Sequence, residues 1–380
     1  MRAAVTLPSE PANTGLAEQH TEEPAYGVPT HFQPTRRPAT DSASNPEKRT
    51  DPFAFGSRYL EEGDDIFAFN AWDHVEVDDT YAAFVAQQTA MQRDAPVTEF
   101  DKRRFNEAPH KWWDKFYSNN RDNFFKDRKW LGQEFPLLKE VTTEEYGPVT
   151  ILEVGAGAGN TAFPIVGMNK NPKLKMHACD YSKKAVQVMR ESALYDDKVM
   201  TADVWDAAAQ GEDRFPPGLQ KGSVDVIIMI FIFSALEPAQ WKQALHNVWD
   251  LLKPGGSVLF RDYGRGDLAQ VRFKKGRYLE ENFYVRGDGT RVYFFEKEEL
   301  EQIWSGNVPT RDQQQSDDIA KQMQAATIDE DDVASATPQF EVVNLGVDRR
   351  MLVNRQRRLK MYRCWMQGLF RKPAEQQQGS

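Results

Sequence analysis

The chain has 380 residues, enough for one large domain or two small ones with a substantial core. It is 40 % hydrophobic and 28 % charged, as a globular chain is, but its mean hydropathy of −0.66 points to polar segments diluting that core. Two cysteines, Cys179 and Cys364, exclude a disulfide scaffold and a four-cysteine zinc site, and a formal charge of −9 argues at whole-chain scale against nucleic acid as partner.

Residues 1–50 are rich in Pro, Thr, Ser, Ala and Glu without apolar periodicity, and are predicted to be disordered. The first residues show neither an apolar leader nor an Arg-rich, acid-poor presequence, so a reducing, cytoplasmic setting is expected. The longest apolar run, Val226–Leu236, is too short for a membrane span, which needs about 20 residues. From residue 149 strands and helices alternate. Val149–Val154 reads as a buried strand ending in Gly155-Ala156-Gly157-Ala158-Gly159, with a helix after it. Residues 175–180 form a second strand, then a helix from Ser182, as N-cap, to about Leu194. Strands follow at 199–203 and 224–233. A helix over 241–252 stops at Lys253-Pro254-Gly255-Gly256, before a fifth strand at 257–262. A loose acidic insertion is expected over 305–338 and a loose tail over 373–380. Residues 340–345 and 360–366 read as closing strands, fitting an antiparallel pair at one sheet edge. The pattern predicts an α/β fold, a doubly wound and mainly parallel sheet.

A glycine-rich turn between strand and helix can be no more than a tight connection. It also lets backbone N–H groups approach a ligand at the helix N-terminus. The dinucleotide pattern GxGxxG fails here, because its sixth position is Asn160. Preceded by Glu153, the turn instead resembles motif I of class I S-adenosylmethionine-dependent methyltransferases, a Rossmann-like fold. Asp180, ending the second strand, would then accept both ribose hydroxyls of the cofactor, and Asp203, ending the third, would lie at the adenine amino group. Alone, Asp180 could be a helix cap and Asp203 a turn residue; their joint spacing favours the cofactor reading.

The flanking sequence carries a narrower resemblance. Lys111-Trp112-Trp113-Asp114-Lys115-Phe116-Tyr117, residues 123–131 with Glu134-Phe135, Phe260-Arg261-Asp262-Tyr263-Gly264, Arg272-Phe273 and residues 281–291 resemble the family that makes N3-methylcytidine at position 32 of the tRNA anticodon loop. It covers about residues 50–304 and 339–372. Phe55–Leu60 and Asn70–Val75 look like the N-terminal element of the threonine-tRNA branch. Ala156 departs from the family, where many members have Cys, but the backbone there does the binding.

The resemblance implies an N-terminal RNA-binding and cofactor-lid extension over 51–140 and a methyltransferase domain over 141–372. It implies that Trp113 and Tyr117 close over the cofactor, and that Gly155, Gly157, Gly159, Asp180, Asp203, Val204 and Ile230 line its pocket. Trp112 reads more simply as core. Phe124, Phe125, Arg128 and Arg286 are the candidate RNA contacts, with docking of the helix on the sheet an even alternative for the first three. Asp262 would hold the cytosine through its N4 amino group, with Tyr263 and Arg261 beside it, unless Arg261 and Asp262 simply pair with each other.

Cytosine N3 carries an in-plane lone pair and no proton, so the chemistry asks for alignment and desolvation rather than a base. It lies on the Watson–Crick edge, so the base must sit in a loop and turn out into a pocket. The six histidines form no ligand spacing, and no metal is expected. Charge is also segregated: residues 349–372 hold nine basic residues and no acidic one, 101–139 ten against six, and 265–291 seven against four. Such basic segments suit an RNA surface, although a cationic strand edge that discourages aggregation would carry some of the same residues. An accessory protein or aminoacyl-tRNA synthetase, and a prior modification near position 37, stay open as requirements. The rival readings are a methyltransferase acting on another RNA or on protein, and a non-catalytic scaffold of a tRNA complex.

Overall fold

The computed structural model describes residues 32–36, 38, 58–77, 79–128, 130–306 and 338–374. Most of the expected loose segments, and Phe55–Ser57, lie outside the described residues. An N-terminal extension supplies strand β1 (Ala71–Asp73) and helices α1 (Asp79–Arg93), α2 (Glu99–Glu107) and α3 (Pro109–Asn120). Short helices α4 (Leu131–Glu134) and α5 (Leu137–Val141) lead into the alternating part. That part runs β2 (Val149–Val154), α6 (Ala162–Met168), β3 (Leu174–Asp180), α7 (Lys183–Arg190), β4 (Met200–Val204), β5 (Val224–Ile230), α8 (Pro238–Leu251) and β6 (Leu252–Tyr263). There follow α9 (Leu268–Val271), β7 (Tyr278–Glu280), β8 (Phe283–Val285), β9 (Arg291–Tyr293), α10 (Lys297–Trp304), β10 (Glu341–Asn354) and β11 (Leu359–Arg371).

Local chemistry sets the helix starts. The Ser182 hydroxyl accepts from the Ala185 N–H and caps α7, and Thr98 does the same for α2 through the Asp101 N–H. Pro238 opens α8 inside a reciprocal box in which Glu237 and Gln240 satisfy each other's backbone donors.

The main sheet has eight strands in the order β1-β10-β11-β6-β5-β2-β3-β4. β4, β3, β2, β5 and β6 are parallel, with α6, α7 and α8 carrying the β2–β3, β3–β4 and β5–β6 crossovers, and β11 enters antiparallel to β6 with Trp365 opposite Tyr263. One apolar layer packs α8 and α10 on one face, with Val258 and Phe260 from β6. The other packs α5, α6 and α7 on the opposite face, with Leu259 from β6. Strand order reverses between β2 and β5, and the crevice at their carboxyl ends is where such sheets bind ligands.

Several expectations need correction. The closing strands are far longer than 340–345 and 360–366, and the sheet edge is β1, not the β10–β11 pair. β5 ends at Ile230, because Phe231 takes a left-handed φ of 60°. α7 stops at Arg190, short of Leu194. A small sheet of β7, β8 and β9 was not anticipated. The disorder expected over 1–50 does not extend to Phe32, which is buried against Tyr81 and Phe84. There the extension builds its own apolar cluster, with Trp72 and Tyr81 against Met351, Val353 and Tyr362 of the hairpin.

Candidate active site

A cavity opens at the carboxyl ends of the parallel strands, over the switch point. β2 delivers Gly155, Ala156 and Gly157 to its wall; β3 delivers Asp180 and Tyr181; β5 delivers Ile230, Phe231 and Ile232; β6 delivers Tyr263. Trp113, Phe116 and Tyr117 of α3 close it from above, continued by Phe124, Phe125 and Arg128. On the far side stand Arg286, Asp288, Thr290 and Arg291 around the β8–β9 turn.

The glycines are there for space. A Cβ on Gly155 would lie 2.8 Å from Ile232, and one on Gly157 would lie 2.3 Å from the Tyr117 hydroxyl, both at positive φ. The Gly157 N–H donates to Asp180 Oδ2 and the Ser182 N–H to Asp180 Oδ1, each at 2.8 Å. Burial pushes the Asp180 carboxyl up to about 6 against those two donors. Beneath the turn, Glu153 is fully buried, has no hydrogen-bond partner of good geometry among the described residues, and has Arg128 Nη1 3.7 Å from Oε1. Burial pushes it up to about 7, with Arg128 pulling the other way.

At the β6 end, the Tyr263 ring packs on Phe231 at 4.8 Å between centroids, and the Arg286 guanidinium lies 5.5 Å from the Tyr263 centroid. Arg286 is held by the Arg291 carbonyl at 3.0 Å. Asp262 is fully buried and does not line the cavity. Its Oδ2 accepts from the Ser234 N–H and its Oδ1 from the Tyr263 N–H, tying the turn after β5 to the end of β6. Burial pushes it up to about 6.

The structure therefore brings Trp113, Tyr117, Gly155, Gly157, Asp180, Ile230, Phe124, Phe125, Arg128, Tyr263 and Arg286 to one cavity, and leaves other candidates off its wall. Arg261 points to the opposite sheet face from Asp262, so the two do not pair. It binds Asp348 at 2.5 Å and Gln367, between the Trp130 and Trp365 rings. Asp203 is engaged by Arg190 at 2.8 Å and Val204 is 40 % exposed, whereas the next residues, Trp205, Asp206 and Ala207, form the wall. Gly159 serves the turn, where Phe163 occupies the space of a Cβ. Arg128 turns inward to Thr161 at 2.7 Å, so its guanidinium does not present itself to a phosphate. Trp112 packs flat on Gly289 and the core, as its simpler reading held. Among the wall residues that sequence reasoning missed, Tyr181, Trp205, Phe231 and Ile232 lie one or two positions past the observed strand ends, which the predicted bounds 199–203 and 224–233 did not mark.

Fold and crevice together define a class I methyltransferase domain. A domain profile described as "Methyltransferase domain" matches residues 152–258. The chain is 46 % identical over 323 residues to the tRNA(Thr) (cytosine(32)-N(3))-methyltransferase of Saccharomyces cerevisiae, covering 85 % of this chain and 46 % of that protein. It is 45 % identical to the tRNA N(3)-methylcytidine methyltransferase of Schizosaccharomyces pombe, over 84 % of this chain and 92 % of that protein. A human tRNA N(3)-cytidine methyltransferase is 35 % identical, over 84 % of this chain and 93 % of that one. The chain belongs to the tRNA N3-methylcytidine methyltransferase family.

S-adenosylmethionine is the cofactor of this fold, and the residues present fit it. Bare backbone at Gly155 and Gly157 allows close approach. The Asp180 carboxylate stands at the wall as an acceptor, and the buried Trp205 indole N–H, also on the wall, has no partner among the described residues. Among those residues no group of His, Cys, Asp or Glu is arranged to hold a metal, and no helix is long and apolar enough to cross a membrane.

Proposed function

We propose that this chain methylates N3 of cytosine 32 in the anticodon loop of threonine tRNA, with the base turned out into the cavity. The observation that carries this reading is the aromatic and cationic niche of Phe231, Tyr263 and Arg286, which shares one cavity with the glycine turn and Asp180.

When bound, S-adenosylmethionine supplies an electrophilic methyl group on a sulfonium. Gly155, Gly157, Asp180, Trp113, Tyr117 and Ile230, which line the cavity, would hold it. Phe231 and Tyr263 give the extruded base an apolar wall to stack on, offsetting the stacking lost in the loop. Arg286, fixed over Tyr263, is placed to donate to an acceptor on the pyrimidine edge or to a flanking phosphate. Cytosine N3 carries its own in-plane lone pair and no proton, so these residues need only orient the base and exclude water. Asp262 acts at one remove, fixing Tyr263 and Ser234 through their backbone N–H groups.

The RNA approaches along the overhanging hairpin. β11 pairs Trp365 with Tyr263, so residues 359–364 run on past the carboxyl end of β6, about 20 Å at the usual strand rise. The tip exposes Arg355, Arg357 and Arg358. Much of the basic run is engaged internally: Arg350 with Asp73, Glu134 and Asp348, Arg363 with Asp267, and Lys360 with the Phe32 carbonyl. The cationic surface is thus the hairpin tip, together with exposed Arg103, Arg104, Lys111 and Lys115 on α2 and α3. A cytoplasmic location and an accessory protein partner accord with this substrate. Nucleoside mass spectrometry of tRNA from cells lacking the protein tests the reading: N3-methylcytidine should vanish from threonine tRNA, and its persistence there would overturn it.

A further inference from the structure

The segment 121–128 carries Phe124 and Phe125 to the cavity mouth, yet it has little of its own to hold it. Six of its eight residues are exposed, all but the half-buried Phe125 and Arg128, and Phe124 is 58 % exposed. Beyond the packing of Phe124 and Phe125 on Phe116, at 4.9 and 5.8 Å between ring centroids, its conformation rests on hydrogen bonds. Those that tie it to the sheet converge on two residues at the end of the glycine turn. The Asn160 amide donates to the Phe125 carbonyl and to Asp127 Oδ1, both at 3.3 Å. The Asn160 carbonyl accepts from the Arg128 N–H at 2.8 Å, and Thr161 Oγ1 accepts from Arg128 Nη1 at 2.7 Å.

We propose that Asn160 is a positioning residue, a clasp that fastens the Phe124–Phe125 segment over the cavity from the glycine turn itself. Asn160 occupies the position where the dinucleotide-binding pattern places a third glycine. A glycine there would leave the carbonyl bond to Arg128 and remove both side-chain bonds to the segment. The turn that cradles the cofactor therefore also sets where the aromatic pair stands. The consequence for the reaction rests on the function proposed above; the clasp itself does not.

The test uses the full chain without RNA. Hydrogen exchange of the Arg128 amide, which is bonded to Asn160, reports opening of the segment. Asn160→Ala should speed it by about five- to tenfold, the effect of losing one or two ordinary hydrogen bonds. Asp127 does not line the cavity, so Asp127→Ala isolates the clasp from any cofactor contact. It should give a smaller acceleration, and the double variant should exchange no faster than Asn160→Ala. Wild-type exchange in Asn160→Ala, or additive effects in the double variant, would overturn the proposal. In methylation of an anticodon stem-loop, Asp127→Ala should raise KM for RNA with the dissociation constant for S-adenosylhomocysteine unchanged. A loss of cofactor affinity in Asp127→Ala would show a merely structural role. If no RNA is methylated by the wild type, the function fails while the exchange result still judges the clasp.

Discussion

Gly157→Ala puts the glycine turn under the sharpest strain. A Cβ at this position would sit 2.3 Å from the Tyr117 hydroxyl and 3.3 Å from Tyr117 Cζ, at a φ of +59°. A normal contact needs about 3.4 Å or more, so the buried phenol must retreat by roughly 1 Å or the turn must open. The left-handed backbone adds about 1–2 kcal/mol of strain that no side-chain movement relieves. The two costs separate experimentally. The strain belongs to the protein with or without ligand, and should lower the thermal midpoint by about 2–6 °C. Displacement of Tyr117 from the roof should weaken S-adenosylhomocysteine binding, measured by titration calorimetry, by about tenfold or more. Adding Tyr117→Phe removes the clashing atom and leaves the nearest remaining contact at the Cζ position, 3.3 Å away. The double variant should regain most of the lost affinity and little of the lost stability. If it binds no better than Gly157→Ala, or if Gly157→Ala binds as the wild type does, the account of the turn is wrong.

Three further predictions follow from the same geometry. Asp180 is pushed up to about 6, so it is ionised above that pH and protonated below it. Cofactor affinity should be flat above about pH 7 and fall as pH drops through 6, by up to about tenfold per unit, and Asp180→Asn should abolish this dependence in a calorimetric pH series. The raised value means the folded state holds a proton that the unfolded chain releases, so stability from this group declines between its ordinary value, 3.8, and 6, opposite in sign to the binding effect. Arg261→Ala takes one cation from Asp348, which keeps Arg350 at 3.2 Å, and should cost about 1–3 kcal/mol in chemical denaturation, with Arg261→Ala/Asp348→Ala costing less than the two single variants together; additive costs would contradict the buried pair. Affinity for the anticodon stem-loop should fall steeply with salt, and Arg357→Ala should make the log–log slope shallower by about 0.9, whereas a slope unchanged would remove Arg357 from the RNA surface.

What the sequence disclosed follows its physics. The parallel strands were legible because a strand buried on both faces must be mostly apolar, as Val226–Ile230 is, and because glycines and the Ser182 cap punctuate the runs. β1 was not legible: three residues carry no periodicity, and its strand character comes from pairing with Arg350, Met351 and Leu352. β10 was cut short for a related reason, since Asp348 and Arg350 stand in a polar stretch whose strand character shows only once their buried ion pairs are known. At the site, the glycines, Asp180, Trp113, Tyr117 and Tyr263 were placed on the cavity, and Arg261 and Asp262, whose side-chain direction turns them from it, were not distinguished from Tyr263. Leu259, Arg261 and Tyr263 share one face of β6 while Phe260 and Asp262 share the other, yet only Tyr263, past the last β5 partner of β6, reaches the cavity. The two-residue offset at β4, from Asp203 to Trp205 and Asp206, depended on where the strand ends, which is the least determined feature of a sequence pattern.

The central claim is that one cavity holds both the cofactor and a cytosine turned out of the anticodon loop. Its most direct test is methylation of threonine tRNA transcripts by the purified full chain with S-adenosylmethionine, read by nucleoside mass spectrometry. The account predicts N3-methylcytidine on the wild-type transcript, none on a transcript with cytosine 32 replaced by uracil, and a loss of about 100-fold or more in turnover for Tyr263→Ala with S-adenosylhomocysteine binding intact. Undiminished turnover by Tyr263→Ala, or methylation that survives the loss of cytosine 32, would contradict it.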